Sequence, residues 1–327
     1  MGQPWLLESP ARGQGVVAPV RILVLGAGVI GSVYAGKLLQ AGHDVVLLAR
    51  GRRLAELQND GLVLNDVETG STTVLRVPVV ASLERDDAYE VVLVPVRHDQ
   101  LSGTLLSLAA MNDRSAVLFF GNTAGQSTGL TEALGDRVLF GFPAAGGVRD
   151  GTLIRYVLIR QQKTMLGEPS GGSSARVRGL QSMFSGAGLP TKISANMNGW
   201  LIGHAAFVVP IAFALYGVDT KAGRLAADRV SLRLMVRATR QAFHALKAAG
   251  NIEIPRNLWV LYMGMPEAFA VRYWRRVLSG PRGELWFAAH SRAAPEEMDS
   301  LAHELQAAVH RTGSATPDLD ILLSRRA

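Results

Sequence analysis

The chain has no cysteine. That absence excludes disulfides, a thiolate nucleophile and cysteine-ligated metal centres together, and it favours a reducing, cytoplasmic setting over secretion. The seven histidines show no ligand spacing such as H-x-x-x-H, so no metal site is expected. Aromatic residues are sparse at 6%, and the 34 Lys and Arg against 27 Asp and Glu are scattered, with no aromatic-interleaved basic stripe. The formal net charge of +7 therefore suits solubility or a phosphorylated small molecule, and no nucleic-acid partner is expected. The most apolar run, Leu201–Tyr216, falls short of the ~20 residues a bilayer-spanning helix needs. It carries Gly203, His204 and Pro210, so it is expected to be a buried core helix, kinked or interrupted at the proline, and no membrane association is expected. Residues 1–19 lack the basic start and apolar stretch of a signal peptide, and they read as a loose extension punctuated by Pro and Gly.

What is present is an ordinary globular composition: 327 residues, 48% hydrophobic and 19% charged. At ~100–200 residues per domain this suggests two domains. Arg21–Leu25 is a short apolar strand running into a glycine turn, Ser32–Ala41 reads as a helix closed by Gly42, and Asp44–Ala49 is a second strand. Continuous apolar strands around one helix are the pattern of a parallel sheet buried on both faces. Further strands are expected at Glu90–Val96, Ala116–Phe120 and Arg137–Phe142, a hairpin within Gly61–Val80 turning at Glu68–Gly70, and an antiparallel pair within Thr152–Gly167. From Ile193 the pattern turns helical: Leu232, Val236, Phe243 and Leu246 mark one helix face ending at Gly250, and Glu296–His310 forms another amphipathic helix. The expected architecture is α/β, with a Rossmann-type N-terminal domain over residues 20–190 and an all-α C-terminal domain over 191–327.

Gly26-Ala27-Gly28-Val29-Ile30-Gly31 is a full G-x-G-x-x-G between that first strand and helix. In this context Gly26 permits the tight turn, Gly28 lets backbone approach a pyrophosphate, Gly31 allows close helix–strand packing, Val29 and Ile30 are the cofactor-binding positions between them, and the helix N-terminus faces the phosphates. The plain alternative is a chance glycine cluster in a loop. The residue that reads the adenosine ribose lies at the end of the second strand. Here it is Arg50, followed by Arg52 and Arg53, where an acidic residue would bind the 2′-hydroxyl of NAD. A guanidinium cluster matches the 2′-phosphate of NADP instead, against the alternative of a solvated basic turn.

These motifs, together with VVLVPVRHDQ at 91–100, the Gly-Asn turn after Phe120, KTMLGE at 163–168 and the Trp-led apolar helix near 200, resemble the ketopantoate reductase (2-dehydropantoate 2-reductase) family. The resemblance implies hydride transfer from NADPH to a 2-keto acid, a small-molecule carbonyl substrate. It also implies a helical lysine as general acid, assisted by asparagine, serine and glutamate. Carried over by position, it puts Arg97 beside the cofactor or substrate, Asn122 at the nicotinamide end, and Glu297 in the E-x-D pattern of a late helix that would serve substrate binding and a possible homodimer. The lysine position, two residues after Trp200, is Ile202. His204 is the nearest titratable group and the candidate proton donor, set against the alternative of a core histidine. The competing function is an NADP-binding sensor or interaction protein with little turnover. Gly125-Gln126-Ser127-Thr128-Gly129 fits a nucleophile elbow by letters only, since no strand runs directly into the serine.

Overall fold

A computed structural model describes residues 18–84, 87–96, 98–111, 114–123, 127–159, 162–250 and 252–326. The chain divides into two compact units, Met1–Met197 and Asn198–Ala327. The division falls slightly beyond residue 190 because Thr191–Ile193 still adds a strand to the first unit's sheet.

The first unit holds strands β1 (Arg21–Leu25), β2 (Asp44–Leu48), β3 (Leu62–Asp66), β4 (Thr72–Leu75), β5 (Val79–Val80), β6 (Val91–Val94), β7 (Ala116–Phe120), β8 (Val138–Phe142), β9 (Ala145–Asp150), β10 (Leu153–Leu158), β11 (Thr164–Gly167) and β12 (Thr191–Ile193). Helices α1 (Val29–Gln40), α2 (Gly51–Asp60), α3 (His98–Ala110), α4 (Ser127–Leu134) and α5 (Ala175–Gly186) connect them. The main sheet has the order β12-β11-β8-β7-β6-β1-β2-β5. Its strands are parallel from β8 to β5, and β11 joins β8 antiparallel. The apolar strands are buried along their length, as a sheet covered on both faces requires.

A second, four-stranded sheet has the order β4-β3-β10-β9. The expected hairpin is there, β3 against β4, with the turn beyond Asp66. The expected antiparallel pair within 152–167 is not formed. β10 pairs with β9 and β3 in the small sheet, whereas β11 pairs with β8 and β12 in the large one.

One buried tyrosine fixes α1 to this framework. The Tyr34 hydroxyl lies 2.6 Å from the Thr164 hydroxyl and accepts the Ala144 N–H at 3.1 Å. Its ring meets Phe120 and Phe184 edge-on, at 4.6 and 5.6 Å. Burial pushes the phenol up to about 12, so it stays protonated and serves as a structural hydrogen-bonding group.

The second unit is helical, and no strand follows β12 among the described residues. It comprises most of α6 (Met197–Tyr216), then α7 (Ala222–Ala227), α8 (Arg229–Ala248), α9 (Arg256–Trp259), α10 (Glu267–Leu278), α11 (Pro281–Gly283), α12 (Ala289–Ala293), α13 (Pro295–His310) and α14 (Pro317–Leu323). Asp228 caps α8 by accepting the Val230 and Ser231 N–H groups at 2.9 and 3.1 Å. Leu232, Val236, Phe243 and Leu246 form its buried stripe. Gln241 ties α8 to α14, accepting from the Asp318 N–H at 3.0 Å and donating to its carboxylate at 2.7 Å.

Among the described residues α6 alone is long and apolar enough to cross a membrane, but 83% of its most apolar window is buried inside the structure. That is the signature of a core helix. It runs on through Pro210 and is not interrupted there. Gly203 lets it approach the neighbouring loop, where an added Cβ would come within 2.7 Å of the Glu253 carbonyl oxygen.

Candidate nucleotide-binding site

β1 pairs with β2 on one side and β6 on the other, and the chain leaves β1 in one direction before returning in the opposite one. That is the topological switch point of an open α/β sheet, where ligands sit beyond the carboxyl ends of the strands. The glycine loop lies at this point. Gly26 has φ +117°, a conformation that a side chain disfavours, and its N–H donates to the Leu48 carbonyl at 3.2 Å. Gly31 is packed so closely that an added Cβ would run into the Gly26 carbonyl oxygen and lie 3.1 Å from Pro95. Gly28 is the opposite case, with no atom within 4 Å of where its Cβ would be.

Gly28 caps α1 without a side-chain bond, and no acidic residue occupies the first turn. An open-faced glycine at an uncapped helix N-terminus leaves backbone N–H groups and the positive end of the helix dipole available to an anion. The stereochemistry fits the pyrophosphate of a dinucleotide.

The three arginines after β2 separate in the structure. Arg50 is exposed, caps α2 with extended backbone, and donates through Nε to the Ala81 carbonyl at 3.4 Å. Arg52 is exposed and bonds Glu56 at 2.9 Å. Arg53 is 8% exposed and turned inward, bonding the Ala27 and Thr152 carbonyls, Ser32 and Glu56. Burial lowers its pKa, Glu56 opposes that, and Arg149 adds to it. The guanidinium cluster expected to face a 2′-phosphate is therefore not one cluster. Arg53 belongs to the loop's scaffold, while Arg50 and Arg52 face outward.

Val96 joins the glycine loop to the ends of β6 and β7. Its side chain is 3.5 Å from where a Gly26 Cβ would lie, and its carbonyl is 3.8 Å from the equivalent point on Gly121. Asn122 follows directly and is half-buried, so it stands at the same sheet edge as the glycines. Arg97, Gly125 and Gln126 lie outside the described residues. Ser127 opens α4, seven residues after β7 ends at Phe120, so the strand does not run directly into it as a nucleophile elbow would require. Glu168, at the end of the KTMLGE segment, is paired with Arg176 and Ser174. Burial would raise its pKa, but these bonds outweigh that and hold it low, as a structural carboxylate anchoring the start of α5.

In the second unit, His204 is stacked flat on Trp200, with ring centroids 5.2 Å apart and planes 8° apart, and meets Phe207 edge-on at 6.2 Å. Phe207 in turn touches Tyr262, Trp274 and Phe287. Tyr262 and Phe287 each sit in a π-helical turn, Val260–Gly264 and Glu284–Ala288. Burial, with His290 adding to it, pushes the His204 imidazole down to about 3. At neutral pH the ring is neutral, which suits an aromatic cluster and removes the imidazolium a general acid would use. Ile202, two residues after Trp200, is partly buried. Glu297 is 8% exposed in the first turn of α13. Farther along that helix, burial pushes Glu304 up to about 7.

Sequence reasoning missed the inward role of Arg53, the Tyr34 bonds and the two π turns. A signal existed for the first: Arg53 and Leu57, four residues apart, are the buried positions of α2.

Residues 22–171 match the family model described as Ketopantoate reductase PanE/ApbA. The chain is 25% identical over 186 residues to a 2-dehydropantoate 2-reductase of Pyrococcus horikoshii, a match covering 55% of this chain and 58% of that relative. The match thus spans little more than half of that relative's length. Among solved structures, a 2-dehydropantoate 2-reductase from Geobacter metallireducens superposes with a TM-score of 0.76 at 18% identity, covering 94% of this chain and all of that one. D-mandelate dehydrogenase in a ternary complex with NADH and anilino(oxo)acetate gives 0.73 at 17% identity, covering 93% and 96%. The two superpositions bear on the fold, and what the chain shares with the ketopantoate reductase family lies in its N-terminal unit, over residues 22–171.

Proposed function

We propose that the protein is an NADPH-dependent reductase of a 2-keto acid or a related small carbonyl compound. The observation that carries this reading is the glycine cradle at the switch point, open at Gly28 and followed by Arg50 at the end of β2. Gly26, Gly28, Val29, Ile30 and Gly31 would hold the pyrophosphate, and Arg50 the 2′-phosphate. Asn122, at the edge shared by β6 and β7, and Arg97, by its place in the sequence, would attend the nicotinamide end. When bound, the nicotinamide supplies the hydride. The chain's own task is to align that group and to satisfy the charge left on the substrate oxygen. Glu297 is the polar group of the second unit assigned to substrate positioning. The homodimer expected of that unit belongs to the same reading, with Phe269 and Tyr273, four residues apart on α10, exposed on its surface.

A second reading rests on a specific observation. With Ile202 in the lysine position and His204 neutral, the described residues of α6 offer no cationic acid, which is compatible with a nucleotide-binding sensor of little turnover.

Cofactor choice is tested by fluorescence titration with NADPH and NADH. NADPH is expected to bind tighter by roughly tenfold or more, and Arg50→Ala to abolish most of that difference. Equal affinities in the parent protein would remove the NADPH assignment.

A further inference from the structure

The glycine loop is gripped from behind. The Ala27 carbonyl accepts two bonds, from Arg53 Nε at 3.2 Å and from the Ser32 hydroxyl at 3.2 Å. Arg53 also donates to Ser32 Oγ at 3.4 Å, so the two donors are themselves linked. The remaining guanidinium nitrogen is held by Glu56 at 3.2 Å and by the Thr152 carbonyl, in the turn between β9 and β10, at 3.4 Å. Ser32 is fully buried and Arg53 nearly so. Each guanidinium nitrogen is bonded within the protein and the residue is 8% exposed, so Arg53 is turned away from solvent.

Its effect on a ligand is indirect, and it follows from peptide geometry. The described chain contains no cis peptide bond, so the Ala27 carbonyl and the Gly28 N–H point in opposite directions across one rigid plane. Fixing the carbonyl toward Arg53 and Ser32 fixes the N–H on the opposite side of the peptide plane, away from both, and Gly28 itself has nothing within 4 Å of a would-be Cβ. A glycine-flanked peptide left unrestrained rotates readily, because glycine populates both signs of φ. We infer that Arg53, with Ser32, is a positioning residue that locks the Ala27–Gly28 peptide with its N–H aimed at the dinucleotide pyrophosphate. The same guanidinium clips the β9–β10 turn to the loop, so the small sheet supports the cradle as well. This inference rests on the dinucleotide reading.

The test compares ligands with and without a pyrophosphate. NADP+ and adenosine 2′-monophosphate are titrated into the parent protein, Arg53→Gln, Arg53→Lys and Ser32→Ala, and each variant is melted to confirm cooperative folding. Arg53→Gln is expected to weaken NADP+ roughly tenfold and to leave adenosine 2′-monophosphate unchanged. Ser32→Ala is expected to move NADP+ the same way by a few-fold, and Arg53→Lys to recover part of the loss. Arg50→Ala is the contrasting control, weakening both ligands. Parent-like NADP+ affinity in folded Arg53→Gln or Ser32→Ala overturns the inference, as does an equal loss of both ligands, which marks a merely structural role. If Arg53→Gln does not fold, Ser32→Ala decides alone. A parent protein that binds neither NADP+ nor NADPH overturns the dinucleotide reading, and this inference with it.

Discussion

At the scale of single residues, His204 illustrates how far burial can shift a titratable group. Its stacking on Trp200 and its pKa of about 3 mean that it does not titrate near neutrality while the protein is folded. In the unfolded chain it titrates near 6.5. Between about pH 6.5 and 3 the unfolded state therefore binds the extra proton, and stability falls as pH falls, by up to about 1.4 kcal/mol per pH unit from this group. Above pH 6.5 the contribution is flat. Glu304, pushed up to about 7, acts in the opposite sense, favouring the folded state less as pH rises from its ordinary range through 7. His204→Phe should keep the aromatic packing and lose the acid-side dependence, so melts of parent and variant should converge toward neutral pH and diverge toward pH 4. NADPH affinity should not change. Parallel melting curves across that range would show that the imidazole is not held neutral.

At the scale of elements, the β1–α1–β2 unit was legible in the sequence, although α1 begins at Val29, three residues before the expected Ser32. Its strands are continuous apolar runs, and its glycines are placed by stereochemistry alone. The consequences differ from one glycine to the next. Gly31→Ala forces a methyl group into the Gly26 carbonyl and should cost about 3 kcal/mol or more, or prevent folding. Gly28→Ala meets nothing within 4 Å, so it should fold and melt like the parent while losing most of its dinucleotide affinity. Thermal melting with an NADPH titration separates the two, and a Gly28→Ala variant with full affinity would empty the cradle of its meaning. The partners of β9, β10 and β11 were not legible. Alternation of side chains identifies a strand but not its neighbour, and β10 finds β3 some ninety residues earlier. β9, Ala145–Asp150, carries two glycines and two charged residues, too weak a pattern to be expected as a strand. The inward turn of Arg53 was missed because arginine is most often solvated, and a buried one becomes visible only when its acceptors, Ala27 and Thr152, are brought together from different elements.

At the scale of the molecule, composition and periodicity sufficed for an α/β unit followed by a helical one, and the absence of cysteine removed thiol chemistry and cysteine-ligated metals. Among the described residues no group of His, Asp and Glu is arranged to hold a metal. The reaction is the least legible part, because it depends on which side chains converge on one substrate, which no local pattern encodes. The central claim is that this chain moves hydride to a carbonyl carbon, and one measurement addresses it directly. NADPH deuterated on the transferable position of the nicotinamide C4 is incubated with the protein and a panel of 2-keto acids, and the products are analysed by mass spectrometry. The account predicts a 2-hydroxy acid carrying one deuterium at C2, formed in step with loss of NADPH. NADPH that binds tightly but passes no deuterium to any member of the panel would contradict it and leave the nucleotide-binding sensor as the better description.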